Sequence, residues 1–257
     1  MKDTIVIKIG GSTLGSHDTT LQDVADLHRR GAAPIVVHGG GPLISDWLKL
    51  TGIPTRFEHG LRVTDSASLD VVVAVLAGLV NKQLVASLEA LGVRAIGLTG
   101  ADGGLLRCRI ADPALGFVGE VEQVEAGVVS NIIEGGAVPV IAPIGLLYED
   151  GQTTGQLLNV NADTAAGAIA TALAASWLVF MTDVPGVKAD GRVLEALNSK
   201  ESLRLIESGV IEGGMIPKVR ACLQAGEAGA RGVIVDGRGE HALLSLLDGA
   251  VAGTVVG

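Results

Sequence analysis

Apolar runs that end in glycine recur along the chain and predict buried strands. The first covers residues 4–9 and is followed by Gly10 and Gly11, and the second covers residues 34–38 and is followed by glycines 39–41. A continuous apolar run is typical of a strand covered on both faces, as in a parallel sheet. Further runs predict strands at residues 94–98, 138–142, 177–181, 231–236 and 254–256.

Segments with helical spacing separate these strands. Helices are predicted at residues 21–30, 66–91, 128–134, 162–174, 199–209, 213–228 and 241–247, and one begins at Pro42. Alternating strands and helices predict an α/β fold with an open, mostly parallel central sheet and helices on both faces, a three-layer sandwich. The chain has no internal repeat or long linker, so residues 1–175 and 176–257 are expected to be two halves of one continuous sheet.

Three other segments carry weaker patterns. Residues 105–110 and 116–124 predict a hairpin that covers a ligand rather than joining the main sheet. The polar stretch 148–156 is interpreted as a connection, and residues 58–65 as a loop after a short strand at 55–57.

The predicted helix 66–91 is apolar on more than one side. Such a helix is buried inside a domain or against a second subunit, and we favour a subunit contact. Asn81, Lys82 and Glu89 exclude a membrane span.

Composition narrows the class of protein. The 257 residues are 48% hydrophobic but only 2% aromatic, so the core must be aliphatic. A net charge of −9 argues against nucleic acid or an anionic membrane as a partner. Cys108 and Cys222 are far apart and form no metal-binding spacing, and the N-terminus has no signal-peptide pattern, so we expect a cytoplasmic protein.

Candidate chemistry lies where the strands end. Lys8 and the two glycine groups would place a cation and bare N–H groups at the carboxyl edge of the sheet, where an anion binds, although a plain turn or hinge explains the glycines too. Arg62 lies between apolar residues, so it reaches inward to a ligand carboxylate or to an internal ion pair. Asn161 is explained as a helix cap, which leaves Asn159 without a structural reason.

Six motifs occur in one order along the chain: Ile7-Lys8-Ile9-Gly10-Gly11, His38-Gly39-Gly40-Gly41-Pro42, Gly60-Leu61-Arg62-Val63-Thr64, Asn159-Val160-Asn161-Ala162-Asp163, Thr182-Asp183-Val184-Pro185-Gly186-Val187 and Gly213-Gly214-Met215-Ile216-Pro217-Lys218. Together they resemble the amino-acid kinase family, and within it the branch that acts on N-acetyl-L-glutamate. The resemblance implies the amino-acid kinase fold and ATP-dependent phosphorylation of the side-chain carboxylate, the second step of the acetylated route to arginine.

The resemblance also implies residue roles. Lys8 and Lys218 would neutralise the transferring phosphoryl group, and Asp163 would hold both lysines. The implied substrate-binding residues are Gly11, Gly40, Gly41, Arg62, Asn159 and Asn161. The implied nucleotide-binding residues are Thr182, Asp183, Gly186, Val187, Lys188, Val210, Ile211, Gly214 and Met215. Mg²⁺ would enter on the ATP phosphates, without a direct protein ligand. Residues 1–175 would bind the acyl amino acid and form the dimer contact, and residues 176–257 would bind ATP.

The chemistry agrees with these roles, because phosphoryl transfer between two oxyanions needs positioning and positive charge rather than a protein nucleophile. A carboxylate acceptor has no proton to remove, so His38 is not needed as a general base. A kinase of the same fold acting on acetylaminoadipate and a non-catalytic nucleotide or amino-acid sensor remain alternatives. The first strand lacks the G-x-G-x-x-G motif of a dinucleotide-binding dehydrogenase.

Relatives that are inhibited by arginine carry an additional N-terminal helix, whereas this sequence starts at its first strand. We therefore expect a homodimer without arginine feedback.

Overall fold

The structure is a computed structural model that describes residues 3–10, 19–58, 60–250 and 253–257. Its strands, in chain order, are β1 Thr4–Ile9, β2 Ala33–His38, β3 Phe57–Glu58, β4 Leu61–Arg62, β5 Ala95–Thr99, β6 Leu106–Ile110, β7 Val118–Val124, β8 Val138–Ala142, β9 Ile144–Glu149, β10 Gln152–Val160, β11 Trp177–Thr182, β12 Lys188–Ala189, β13 Arg192–Val193, β14 Ala196–Leu197, β15 Arg231–Asp236 and β16 Thr254–Val256.

The α-helices are α1 Thr20–Arg29, α2 Gly41–Leu50, α3 Ser66–Val73, α4 Asn81–Ala90, α5 Ala126–Glu134, α6 Ala162–Ala172, α7 Ser199–Glu207, α8 Met215–Glu227 and α9 Ala242–Leu247.

The central sheet has eight strands in the order β14-β16-β15-β11-β1-β2-β8-β5. The six strands from β15 to β5 are parallel to one another, while β16 is antiparallel to β15 and β14 is parallel to β16. The predicted α/β fold with an open, mostly parallel sheet is therefore confirmed. The first strand lies between β11 from the C-terminal half and β2 from the N-terminal half, so one sheet spans both halves.

Aliphatic side chains fill a core on each face of this sheet. Strand β1 contributes Val6 to one core, together with residues of α6 and α8, and contributes Ile5, Ile7 and Ile9 to the other, together with residues of α1, α2 and α3. Because side chains alternate along a strand, Lys8 points to the same face as Val6, toward α6.

A second sheet closes on itself in the order β10-β7-β6-β9. The predicted hairpin is confirmed as β6 and β7, outside the main sheet. The interpretation of residues 148–156 as a connection is wrong, because they belong to the antiparallel hairpin β9–β10. Asp150 and Gly151 both have positive φ, as a tight hairpin turn requires. The polar residues after this turn are exposed on the hairpin, which explains their lack of an apolar pattern.

Arg62 lies in a strand rather than in the predicted loop. Strands β3 and β4 pair as a two-residue antiparallel hairpin, which brings Phe57 opposite Arg62. Thr64 then forms a bridge to Gly116, next to the start of β7, so the hairpin that carries Arg62 is attached to the second sheet.

One continuous helix spans Ser66–Ala90, as the sequence predicts, but its middle segment Ala74–Val80 is π-helical. By length and composition this helix could cross a membrane, with a mean hydropathy of 1.9 in its most apolar 18-residue window, so Asn81, Lys82 and Glu89 do not by themselves exclude a span. Its buried residues, among them Leu76, Leu84 and Leu88, pack in the hydrophobic core on one face of the sheet, while only 39% of its most apolar window is buried.

Candidate active site

Two lysines from different parts of the chain meet at one carboxylate. Lys8 Nζ on β1 lies 2.8 Å from Asp163 Oδ1, and Lys218 Nζ on α8 donates a hydrogen bond of 2.9 Å to Asp163 Oδ2. The three side chains are nearly buried, at 10%, 14% and 7% exposure for Lys8, Lys218 and Asp163. Two ammonium groups and one carboxylate leave an excess of one positive charge at this point.

Local helix geometry places these groups. Asn161 caps α6 by accepting hydrogen bonds from the backbone N–H groups of Asp163 and Thr164, which fixes Asp163 in the first helical turn. Lys218 lies in the first turn of α8 and also donates to the carbonyl oxygen of Gly214, 3.0 Å away. Helices α6 and α8 pack against the same core, and the contacts of Asp163 with Lys218 and Lys8 bring their N-terminal ends together beside β1.

Asp163 is ionised in this arrangement. Burial alone would raise the pKa of its carboxyl group, but the charges and hydrogen bonds of Lys8 and Lys218 outweigh burial and lower the pKa below its ordinary value.

An open cavity of about 220 Å³ lies beside this cluster. It is lined by seven of the sequence-predicted residues: Lys8, Gly40, Gly41, Arg62, Asn159, Asn161 and Asp163. These residues come from four separate segments of the chain, and the fold brings all of them together. Gly11, also predicted for this site, lies outside the described residues.

Arg62 closes one side of the cavity. Its Nη2 atom donates to the carbonyl oxygen of Gly41 at 3.1 Å and to Ser45 Oγ at 2.9 Å, both on α2, and its guanidinium stacks 4.6 Å from the centre of the Phe57 ring. The inward orientation predicted from sequence is therefore observed, while the alternative of an internal ion pair is not, since the described contacts of Arg62 are neutral. Burial lowers the pKa of the guanidinium from its ordinary value.

Asn159 also lines the cavity and is linked to Arg62 through the hydroxyl group of Thr64. Asn159 Nδ2 donates to Thr64 Oγ1 at 3.0 Å, and that hydroxyl donates to the carbonyl oxygen of Arg62 at 2.8 Å. Thr64 is fully buried and is a residue that the sequence analysis did not single out beyond its motif. The sequence signal that could have indicated it is a threonine, a β-branched residue with a hydroxyl group, two residues after Arg62.

The residues predicted to bind a nucleotide lie along the carboxyl edge of the C-terminal half. Thr182 ends β11 beside β1, where Gly10 N–H donates to the carbonyl oxygen of Met181. Asp183, Lys188, Val210 and Gly214 are exposed, and Met215 is half-buried at the start of α8.

Four members of this predicted nucleotide set are buried: Thr182, Gly186, Val187 and Ile211. The side chains of Val187 and Ile211 belong to the hydrophobic core, so contact with a nucleotide would have to use their backbone atoms. Gly186 is also buried, and a Cβ atom there would lie 2.6 Å from Thr254 Oγ1, which explains the glycine by packing.

His38 does not face this site. It lies on the same face of β2 as Val36, and therefore on the side of the sheet opposite Lys8. Within the described ranges, no group of three or more His, Cys, Asp or Glu side chains converges as metal ligands do.

The chain is similar to known proteins over nearly its whole length. A model of the amino acid kinase family matches residues 3–236. Acetylglutamate kinase of Dehalococcoides mccartyi is 43% identical over 256 residues, which cover 98% of this chain and 94% of that protein. Acetylglutamate kinase of Gluconobacter oxydans is 45% identical over 273 residues, covering 99% and 91%. The crystal structure of smu.665 from Streptococcus mutans superposes with a TM-score of 0.84 at 32% identity, covering 100% of this chain and 99% of that one.

Proposed function

Because this chain belongs to the amino acid kinase family, we propose that it transfers the γ-phosphoryl group of ATP to the side-chain carboxylate of N-acetyl-L-glutamate, in arginine biosynthesis. Relatives named acetylglutamate kinase, at 43% and 45% identity over nearly the whole chain, support this substrate. The observation that carries the proposal is the pairing of Lys8 and Lys218 on the two oxygens of Asp163, at the edge of a cavity that holds Arg62 and Asn159.

The two lysines supply what the reaction needs. A phosphoryl group in transfer spreads negative charge over three oxygens, and cations that are already in position stabilise it without reorganising. In our proposal Lys8 contacts the group from the acceptor side and Lys218 from the ATP side. Asp163 keeps both ammonium groups within reach of one point, because without its charge they would repel each other.

The cavity suits the acceptor. Arg62 would bind the α-carboxylate of the substrate and Asn159 its acetylamino group, since a guanidinium and an amide match these two groups in charge and hydrogen bonding. The N–H groups of Gly40 and Gly41, with that of Gly11, would bind the reacting carboxylate and the phosphoryl group. Asn161 Oδ1 is already used to cap α6, so only its Nδ2 group is proposed to contact the substrate.

ATP would lie on the neighbouring edge formed by β11 and the start of α8. The positive end of α8 and Lys218 favour the phosphates. Thr182, Asp183, Lys188, Val210, Gly214 and Met215, with backbone atoms of Gly186, Val187 and Ile211, are the proposed nucleotide contacts. Mg²⁺ prefers phosphate oxygens and water, and we propose that it enters with the nucleotide.

We propose a cytoplasmic homodimer as the assembled form. The helix Ser66–Ala90 is only 39% buried in its most apolar window, and Ile96 on the neighbouring edge strand β5 is 38% exposed. A second copy of the chain covering the helix and this edge would remove both apolar surface and an open sheet edge from water.

The test is an ADP-release assay with N-acetyl-L-glutamate, N-acetyl-L-2-aminoadipate, N-acetyl-L-aspartate and free L-glutamate. We expect the highest kcat/KM for N-acetyl-L-glutamate. One methylene is worth about 1–3 kcal/mol in a pocket, so the aminoadipate analogue should be roughly 10- to 200-fold slower.

Each other outcome has a defined meaning. A preference for the aminoadipate analogue would assign the kinase to that longer acceptor. If the protein binds ATP but releases no ADP with any of the four acceptors, the proposal is contradicted and a sensor is favoured.

A further inference from the structure

His38 is a fully buried histidine that the proposed reaction does not use. It is the last residue of β2 and immediately precedes Gly39, Gly40 and Gly41, which line the cavity. Its imidazole points away from that cavity, into the core formed with the helix Ser66–Ala90. Burial lowers the pKa of His38 to about 4, so the ring is neutral near pH 7.

Its contacts select one tautomer. Nε2 lies 3.2 Å from Asn81 Nδ2, and Nδ1 lies 3.0 Å from the carbonyl oxygen of Gly39. An amide nitrogen only donates, so Nε2 accepts and the proton is on Nδ1, from which it is donated to Gly39.

The orientation of the Asn81 amide is equally determined. Its Nδ2 group also donates to the carbonyl oxygen of Val140 at 2.9 Å and, over a longer distance of 3.4 Å, to the carbonyl oxygen of Leu98. Its Oδ1 atom accepts a hydrogen bond from Lys82 Nζ at 2.9 Å. Exchanging the oxygen and nitrogen would place an acceptor against two carbonyls and a donor against an ammonium group. Asn81 thus connects β8, β5 and His38 from a position just after the π-helical turn.

The result is a fixed orientation of the Gly39–Gly40 peptide. No cis peptide occurs among the described residues, and in a trans peptide the C=O and N–H bonds point in opposite directions. A carbonyl held toward His38 therefore directs the Gly40 N–H to the opposite side, away from the helix core. The helix also supports Gly40 directly, because a Cβ atom there would lie 2.6 Å from Leu76 Cδ2.

We propose that His38 and Asn81 are positioning residues for phosphoryl transfer: their hydrogen bonds aim the Gly40 N–H at the reacting oxygens. This rests on the proposed function, since it assumes that the Gly40 N–H binds the acceptor carboxylate or the phosphoryl group. The ring acts through one fixed proton on Nδ1 and exchanges no proton with the substrate.

The first experiment compares His38→Phe with His38→Asn in the ADP-release assay. Phenylalanine keeps the ring shape but donates nothing, and we expect kcat to fall about 10- to 100-fold, as small misplacements of reacting groups do. The KM for ATP should stay within about three-fold, because the nucleotide edge is untouched. Asparagine keeps an N–H group near the Nδ1 position, so it should be about five-fold faster than phenylalanine, the value of one hydrogen bond.

Leu88→Ala is the matched control for loss of stability. Leu88 is fully buried two turns beyond Asn81 on the same helix and lies outside the proposed site. This variant should lower Tm at least as much as His38→Phe, with kcat within about two-fold of the wild type. Asn81→Leu removes the hydrogen-bond partner of His38 Nε2 and should reproduce the loss in kcat. It also tests the proposal if His38→Phe fails to fold.

A second readout does not depend on activity. In ¹⁵N NMR of the imidazoles, the wild-type signals of His38 are identified as those that disappear in His38→Asn. They should show a protonated Nδ1 and an unprotonated Nε2, without change between pH 8 and pH 5.5. Asn81→Leu should abolish this single-tautomer pattern. The ratio of variant to wild-type kcat should be constant from pH 6 to 8.5, whereas a histidine acting as a base would make it vary.

The outcomes separate this proposal from the function it rests on. Wild-type protein inactive toward all acceptors would overturn both. An active wild type with undiminished kcat in folded His38→Phe and Asn81→Leu, or a ring protonated on Nε2, would overturn the positioning role and leave the proposed function standing. If Leu88→Ala loses as much kcat as His38→Phe, the effect is due to lower stability, and the positioning role is likewise overturned.

Discussion

Asp163 holds both lysines of the candidate site. We predict that Asp163→Asn lowers kcat about 100- to 1000-fold, as loss of a charge-stabilising group in an active site does, because the amide no longer offsets the repulsion between two ammonium groups. Steady-state kinetics measure this change, with circular dichroism to confirm the fold. A kcat within two-fold of the wild type would remove Asp163 from the proposed mechanism.

The same carboxylate has a defined effect on stability. Its folded-state pKa is lowered, so its ion pairs stabilise the fold above the unfolded value of 3.8, and this contribution is lost as the pH falls through the folded pKa. The difference in unfolding free energy between wild type and Asp163→Asn should therefore be constant from pH 6 to 8 and change only below about pH 4, by urea titration.

The structure brings together residues that the sequence places at the end of a strand or helix, and their catalytic roles stay predictions. Lys8, Asp163 and Lys218 follow motifs that the sequence displays, and the cap formed by Asn161 is a local signal. Asn81 was missed as a functional candidate because its partners, Leu98, Val140 and His38, are 17, 59 and 43 positions away. Only the packed sheet reveals that these groups meet.

At the scale of elements, α1 and α9 are joined by a buried carboxylate. Asp23 on α1 is fully buried, lies 2.6 Å from His241 Nδ1, and accepts hydrogen bonds from the backbone N–H groups of Leu243 and Leu244 at the start of α9. The hydrogen bond and charge of Asp23 raise the pKa of His241 above its ordinary value of 6.5.

This pair predicts a pH-dependent contribution to stability. Because the folded pKa of His241 is raised, the stabilisation is fully present below pH 6.5 and is lost as the pH rises through the folded pKa. His241→Gln should therefore lower Tm more at pH 5.5 than at pH 9, measured by differential scanning fluorimetry. Equal shifts at both pH values would contradict the pairing.

The elements that were predicted well are the ones with strong periodicity. In the sequence, the parallel strands are continuous apolar runs and the helices are apolar positions at helical spacing. The structure has these strands and helices where the sequence predicts them. The hairpin β9–β10 was missed because Gln152, Thr153 and Thr154 are exposed there and show no apolar face. Closure of the second sheet depends on pairing between β10 and β7, which local sequence does not encode.

At the scale of the whole molecule, the candidate site depends on both halves of one sheet. Lys8 and Asp163 come from the first 175 residues and Lys218 from the rest, and β1 pairs with strands of both halves. The assignment of acyl amino acid binding to one half and ATP binding to the other stays a prediction.

The molecular mass of the protein in solution tests the proposed dimer. The chain weighs 26.0 kDa, so sedimentation equilibrium should give twice that value. Ile96→Glu combined with Ala74→Glu, both on exposed positions of the proposed contact, should shift the mass to one chain with the fold retained. A wild-type mass of one chain at micromolar concentration would contradict the proposal, and a mass of six chains would contradict the expected dimer.

The most direct measurement is the turnover of Lys8→Arg and Lys218→Ala with ATP and N-acetyl-L-glutamate, in proteins whose circular dichroism matches the wild type. Arginine keeps the charge of Lys8 but cannot place a compact ammonium group beside Asp163, and alanine removes the second cation. The account predicts a fall in kcat of about 100-fold or more for each variant. Wild-type turnover in either folded variant would contradict it.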